Sequence, residues 1–281
     1  MKYNDIRGMT FTCITVVERI DGKWLGKCNR CGSEKMYTYN EIKNKKSNRC
    51  SNCKSVEHDD YFDIIDSEEK AYILGFITAD GCNYGDGRVK IDLSLDDLDI
   101  LVKIRDCLGV ENDILTYEQP DKIFNGKAYP SKTQKRLNIW NKNICEQLID
   151  KGCVKDKSKY LIFPNEDKVP KELYRHYIRG YFDGNGHLWY WIDNKRTGHK
   201  KFNMSVTSTV NFCEKIKDIF SEFDCQPDLR SRWMERNNNN ATVSLCGNRV
   251  IGRVCDWMYS DATIYLERKY RKYLELLEQN K

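Results

Sequence analysis

Two sets of residues carry spacings that chemistry requires. Cys28, Cys31, Cys50 and Cys53 form two C-x2-C pairs with 18 residues between them, the arrangement of a four-thiolate zinc site. Each pair makes a tight knuckle that aims two sulfurs at one point, and two knuckles complete a tetrahedron around Zn²⁺. Four thiolates leave no open coordination position, so the implied zinc is structural. The second set is a repeat. Ala71-Tyr-Ile-Leu-Gly-Phe-Ile-Thr-Ala-Asp-Gly81 and His176-Tyr-Ile-Arg-Gly-Tyr-Phe-Asp-Gly-Asn-Gly186 place Gly75, Ala79, Asp80 and Gly81 against Gly180, Gly184, Asn185 and Gly186 at a constant offset of 105 residues. On helices, Gly75 with Ala79 and Gly180 with Gly184 make smooth stripes along which two backbones can approach closely. Gly81 and Gly186 sit where a left-handed C-cap is expected, which would end both helices at one level with Asp80 beside Asn185. The partial negative charge of two helix C-termini, joined by a carboxylate, would attract a hard cation with oxygen ligands such as Mg²⁺.

The elements that must hold these residues follow from periodicity. Asp66 or Ser67 can cap the first repeat helix, with Glu69 completing a box, and Pro170 starts the second at its first turn. Each helix is followed by two alternating strands, a helix, a second strand pair and a closing helix. In the first half these are the strand at 88–95, a helix at 96–108, strands near 114–118 and 135–140, and a helix at 143–151. In the second they are 201–207, 211–223, 229–236, 242–246 and 249–258. The predicted fold is α/β (α+β), two pseudo-symmetric αββαββα halves preceded by a small zinc-binding module. The boundaries are 1–57 for the module, 62–160 for the first repeat and 168–273 for the second.

Leu74-Gly-Phe-Ile-Thr-Ala-Asp-Gly81 and Arg179-Gly-Tyr-Phe-Asp-Gly-Asn-Gly186 resemble the paired motifs of LAGLIDADG homing endonucleases in their single-chain, two-repeat form. Gly152-Cys-Val-Lys-Asp-Lys-Ser158, Phe163-Pro-Asn165 and Tyr259-Ser-Asp-Ala-Thr-Ile-Tyr-Leu-Glu-Arg-Lys-Tyr270 extend the likeness, which covers about residues 62–273. Asp5-Ile-Arg-Gly-Met-Thr-Phe11, Thr15-Val-Val-Glu-Arg19 and Lys23-Trp-Leu-Gly-Lys-Cys28 are similar to the zinc-ribbon module found at the N-terminus of phage homing endonucleases. The resemblance implies that the last acidic residue of each motif binds divalent metal at a scissile phosphate. That makes Asp80 the first-site ligand, gives Asn185 the second-site position and nominates Lys157 and Lys269 as cleft lysines. The implied reaction is metal-assisted, in-line hydrolysis of a DNA phosphodiester.

Asn185 departs from that pattern, because a carboxamide offers one neutral oxygen where a carboxylate offers two charged ones. Three explanations stand open: an inactivating substitution, a natural variant that nicks one strand, or a natural loss of cleavage that leaves a binding protein. Asp183 points away along the helix and cannot take over. Its counterpart in the first repeat is Thr78.

Strand alternation sets Arg88, Lys90, Asp92 and Ser94 on one face, with Lys201, Asn203, Ser205 and Thr207 as their equivalents. Gln134, Arg136 and Asn138, and Arg230, Arg232 and Arg236, extend these surfaces. By resemblance the two sheets form a saddle in the major groove of double-stranded DNA, where such side chains read base edges. Trp189, Tyr190 and Trp191 are assigned to a strand and its core contacts, with contact of one of them to sugar or base as the alternative.

The chain of 281 residues has 47 Lys+Arg against 42 Asp+Glu, a net of +5. Residues 1–57 hold 12 basic and 6 acidic groups, a net of +6, which leaves −1 for the rest. Phosphate is the partner that this segregation suits. Thirteen cysteines, an odd number, with no export signal argue against a disulfide framework, and Cys107, Cys145, Cys213 and Cys255 read as small core residues. No apolar run approaches the roughly 18 residues of a membrane helix, so the expectation is a cytoplasmic monomer that cuts an asymmetric DNA site. The rival is a non-cleaving DNA-binding protein, or an RNA-binding intron maturase on the same scaffold.

Overall fold

The computed structural model describes residues 5–29, 32–44, 58–118, 122–124, 127–130, 133–231 and 239–280. Cys31, Cys50, Cys53, Arg232 and Arg236 lie outside the described residues. The chain divides into two compact units, Met1–Ser55 and Val56–Lys281.

In the first unit β1 (Thr10–Phe11), β2 (Ile14–Ile20), β3 (Lys23–Cys28) and β4 (Glu34–Tyr37) form an antiparallel meander in chain order. Helix α1 (Tyr39–Lys43) follows, its start closed by Thr38 and Glu41, which cap each other's backbone. Ile14, Val16, Trp24, Tyr37 and Ile42 make a core of their own. Cys28 is buried at the end of β3, where its carbonyl accepts from Gly32 N and its own N–H donates to Ser33 O, both at 2.9 Å. Gly32 has φ +71°, so the chain turns back sharply at that point.

The second unit is the repeat. Helix α2 (Glu68–Asp80) starts at Ser67, whose Oγ accepts from Lys70 N, so Ser67 rather than Asp66 is the cap. It runs straight into β5 (Gly81–Asn83), then β6 (Arg88–Ser94), α3 (Leu98–Cys107), β7 (Leu115–Tyr117), a hairpin β8 (Lys122–Phe124) and β9 (Lys127–Tyr129), β10 (Gln134–Trp140) and α4 (Lys142–Asp150). A one-turn helix α5 (Lys157–Tyr160) links to the second half. There Pro170 precedes a 3-10 turn, then α6 (Tyr174–Asn185), β11 (Gly186–Asn194), β12 (His199–Thr209), α7 (Val210–Ser221), β13 (Asp228–Ser231), β14 (Asn240–Cys246), α8 (Asn248–Tyr259) and α9 (Glu267–Gln279). The main sheets run β5-β6-β10-β7 and β11-β12-β14-β13, the same antiparallel order in both halves. The fold is α+β, with two αββαββα halves.

Helices α2 and α6 pack face to face at the centre of the unit. A Cβ on Gly75 would lie 2.0 Å from Tyr177 O, and one on Gly180 2.0 Å from Tyr72 O, so each glycine admits the other helix's backbone. The stripes read from the sequence therefore mate reciprocally. The left-handed caps do not form. Gly81 (φ −73°, ψ 155°) and Gly186 (φ −81°, ψ 164°) are extended, and both helices pass directly into strands. Glycine is required there by crowding instead: added Cβ atoms would meet Ile77 O at 2.6 Å and the Phe182 ring at 2.0 Å.

The stretch from Tyr259 to Arg268 folds back over the first half. Thr263 N and Arg179 Nη2 both donate to Glu68 Oε1 at the start of α2, at 2.8 and 2.6 Å. Arg268 Nε reaches the buried Asp97 carboxylate at 3.0 and 3.2 Å, and the Lys103 ammonium lies over the Tyr265 ring. Arg179 is fully buried and also donates to Met258 O and Ile264 O, which spreads its charge over several acceptors.

Candidate functional site

Asp80 and Asn185 are the last residues of their helices, and both side chains reach solvent. A Cβ on Gly184 would lie 3.3 Å from Asp80 Cγ, which shows how closely the second helix passes the first carboxylate. Among the described residues no donor occupies the Asp80 oxygens. Crowding by protein raises the carboxyl pKa, and Lys157, Lys269 and Arg268 partly offset that rise. Asn185 Nδ2 donates to Thr207 O at 2.8 Å, and because a carbonyl can only accept, this fixes the amide with Oδ1 as its open oxygen. A recess of about 220 Å³ joins Thr78, Ala79 and Lys157 of the first half to Tyr181, Asn185 and Thr207 of the second.

The helix ends differ from the sequence expectation in one respect. Their carbonyls are not open to a cation, because lysine ammonium groups occupy them. Lys157 Nζ donates to Ile77 O, Thr78 O and Ala79 O at 3.0, 2.5 and 2.8 Å. Lys269 Nζ donates to Phe182 O, Asp183 O and Gly186 O at 2.6, 3.3 and 2.5 Å. Lys157 opens α5 and Lys269 lies in the first turn of α9, and each plugs the end of its own half's central helix. All three protons of each ammonium are engaged, so both groups cap helices and supply charge at short range. Burial lowers the Lys157 pKa and lowers that of Lys269 to about 8.

A divalent metal at this place would rest on side-chain oxygen alone: the open Asp80 carboxylate and Asn185 Oδ1. That donor set fits a hard cation, and fits it unevenly, with one charged and one neutral ligand.

Asp183 is fully buried, as its direction along the helix implies, and accepts from Tyr72 Oη, Tyr259 Oη and Leu266 N at 2.8, 2.5 and 2.7 Å. It is a structural acceptor between the helices and the returning C-terminal stretch. Thr78 is buried as well. Sequence reasoning missed Arg268. With Nε tied to Asp97 and its Nη groups unbonded among the described residues, it is the one cation acting on Asp80 that keeps donors to offer. Its adjacency to Lys269 was the available signal.

On the first sheet the predicted face forms. Register sets Arg88, Lys90, Asp92 and Ser94 opposite Trp140, Asn138, Arg136 and Gln134. The charges on this face are paired among themselves. Asp92 takes Arg136 Nε at 2.6 Å and Lys90 Nζ at 3.0 Å; burial pushes its pKa up, but these partners prevail and the net shift is downward. Tyr117 Oη reaches Gln134 Oε1 at 2.8 Å, and the Arg136 guanidinium lies over the Tyr117 ring. Arg88 is held by Asp86 at 2.6 Å, between the rings of Tyr84 and Trp140. Asp92 is thus an organiser of the face, and its carboxylate is already engaged.

The second face is less charged. Trp189, Asn203 and Cys246 make one cross-strand row, and His187, Ser205 and Ser244 another. Lys201 pairs with Asp193 at 3.0 Å, Asn203 Nδ2 reaches Cys246 Sγ, and Arg230 pairs with Asp228 at 2.7 Å. Only Tyr190 turns to the core. Trp189 and Trp191 lie on the open side, Trp191 with 47% of its surface exposed, which corrects their assignment to core contacts. Burial and the cations Lys272, Lys269 and Arg268 lower the His187 pKa. Cys145, Cys213 and Cys255 are core residues, and Cys107 is half-buried.

No model of a known protein family matches the chain. Among curated proteins, the replication factor C small subunit of Methanocaldococcus jannaschii is similar, at 23% identity over a match that covers 66% of this chain and 11% of that protein. The chain thus corresponds to about a tenth of its relative's length. Among solved structures, the I-LtrWI LAGLIDADG homing endonuclease bound to target DNA is 11% identical with a TM-score of 0.48, covering 79% of this chain and 91% of that one. The meganuclease I-SmaMI on uncleavable DNA gives 10% and 0.47, with 74% and 88% covered. At these values the likeness assigns no residue of this chain a role. No helix among the described residues is long and apolar enough to cross a membrane.

Proposed function

We propose that this chain is a divalent-metal-dependent DNA endonuclease of the LAGLIDADG type, acting as a monomer, with a zinc-stapled N-terminal module that adds phosphate contacts. One observation carries the reading. An unbonded carboxylate, Asp80, stands at the end of one of two mated helices, Asn185 ends the other, and each helix leads directly into a sheet with a polar open face. A bound divalent cation supplies Lewis acidity at a phosphodiester. Asp80 and Asn185 Oδ1 would hold it. Lys157 and Lys269 fix the helix ends and keep positive charge beside Asp80, and Arg268 offers its free Nη groups to the phosphate oxygens. The faces with Arg88, Lys90, Gln134, Arg136 and Asn138, and with Lys201, Asn203, Ser205 and Arg230, orient the duplex.

Asn185 is built into its surroundings as an amide, since a carboxylate in its place would face Thr207 O without a proton to donate. This favours a native asymmetric enzyme that cuts one strand preferentially. The same observation supports the second reading, a non-cleaving DNA- or RNA-binding protein. Incubation of a plasmid library with randomised inserts in Mg²⁺, with sequencing of nicked and linear products, separates them. The nickase yields open circles that Asp80→Asn abolishes, and Asn185→Asp adds linear product. Tight duplex binding with no strand cut by the wild type or by Asn185→Asp overturns the enzyme reading.

A further inference from the structure

The open face of the second sheet does not stop at its last ladder pair. It runs into a recess of about 780 Å³ lined by Trp191, Lys201, Cys246, Asn248, Arg249 and Gln279, among others. Trp191 opposes Lys201 across β11 and β12, and Cys246 opposes Asn203 across β12 and β14, so the recess continues the row of residues that begins beside Asn185. Its lining carries Lys201 and Arg249 and, among the described residues, no carboxylate. Asp193 pairs with Lys201 from the end of β11, but Arg249 is exposed and has no ion-pair partner among the described residues. Trp191 turns half of its ring surface to solvent beside these cations. At the matching end of the first sheet, Arg88 is closed between Tyr84, Trp140 and Asp86.

We propose that this recess is a docking site for the sugar-phosphate backbone of duplex DNA flanking the cleavage site on the second-half side, with Arg249 on phosphate and Trp191 against the sugar edge. The inference rests on the DNA-binding reading above and extends its footprint to one side only. A cationic side chain without an ion-pair partner, as Arg249 is among the described residues, suits a polyanion. An exposed aromatic ring beside them gives apolar contact to the sugar, as on surfaces that track a nucleic-acid strand. A recess open to the sheet face admits a continuous backbone rather than a free small anion.

The test uses a duplex selected for binding from a randomised library, prepared in two lengths. One is trimmed to the protected core and the other is extended by about ten base pairs at each end, roughly one helical turn. Anisotropy titrations over a range of KCl give affinity and salt slope. On the extended duplex Arg249→Ala is expected to weaken binding roughly fivefold and to reduce the salt slope by about one. Trp191→Ala is expected to weaken binding without changing the slope. On the trimmed duplex both variants match the wild type, and Lys215→Ala, on the exposed side of α7, matches it on both. An unchanged slope for Arg249→Ala on the extended duplex overturns the proposal, as does an equal loss on both lengths. Failure of the wild type to select any duplex overturns the DNA-binding reading itself.

Discussion

Exchanging one methyl group across the central helix pair tests how the site is held. A Cβ on Gly184 would lie 2.5 Å from Ala79 Cβ, whereas carbon atoms rest at about 3.5–4.0 Å. Gly184→Ala must therefore part α2 and α6 by at least about 1 Å. Overpacking of this kind costs about 1–3 kcal/mol, and the helix propensity gained by losing a glycine returns up to about 1 kcal/mol. The single variant should lose about 1–2 kcal/mol of stability. Ala79→Gly should lose a similar amount, from propensity and from the void left by its methyl. In the double variant the methyl sits on the other helix and fills the same space, so the losses cancel to below about 1 kcal/mol, a coupling of about 2 kcal/mol. Chemical denaturation of the four proteins, followed by circular dichroism, measures this cycle. A double variant as unstable as the sum of the singles would refute close mating of the helices. The new methyl also lies 3.3 Å from Asp80 Cγ, so strand cleavage should fall roughly tenfold in a double variant that remains stable, because small displacements of a reacting group are costly.

Lys269 titrates in the fold near pH 8 against an ordinary value of 10.5. Its proton is lost first by the folded state, so wild-type stability should rise relative to Lys269→Met between pH 8 and 10.5, by up to about 3 kcal/mol. Urea unfolding at several pH values would show a flat difference if the ammonium were not buried. Arg268→Ala should slow strand cleavage by tenfold or more, whereas Asp97→Asn, which loosens the tether but keeps the cation, should cost less; equal losses would make Arg268 a strut only. Cys28→Ser should reduce bound zinc from one equivalent to none, read by metal analysis of the purified chain, and unchanged stoichiometry rules out a four-thiolate site.

The repeat is legible because it recurs in residue type and spacing, and alternation along 88–94 and 201–207 predicts the faces that the two sheets form. What local pattern could not carry was contact at long range. The lysine caps join residues about 80 positions apart, such as Lys157 with Ile77 and Lys269 with Gly186. Nothing adjacent in sequence marks a lysine that will end a distant helix. At Gly81 and Gly186 the sequence predicts a need for backbone freedom, whereas in the fold it is the lack of a side chain that matters. Both causes select the same residue. Trp189 and Trp191 show the limit of composition: aromatic rings favour burial, but the pleat sends residues 189 and 191 to the side opposite Tyr190. The hairpin of β8 and β9, with Ile123 and Phe124 exposed, gave no periodic signal.

The ties from Thr263 and Arg268 to Glu68 and Asp97 bear on how such a protein can be altered as a lineage or in the laboratory. The repeat suggests a boundary between the halves near residue 165 and two interchangeable cassettes. That boundary would instead separate Glu68 and Asp97 from the partners that complete them, leaving buried or half-buried carboxylates unpaired in any half transplanted alone. Exchange of recognition surfaces between relatives therefore has to carry residues 259–268 along with the first half they fasten. Drift in that stretch is constrained by a neighbour nearly two hundred positions upstream.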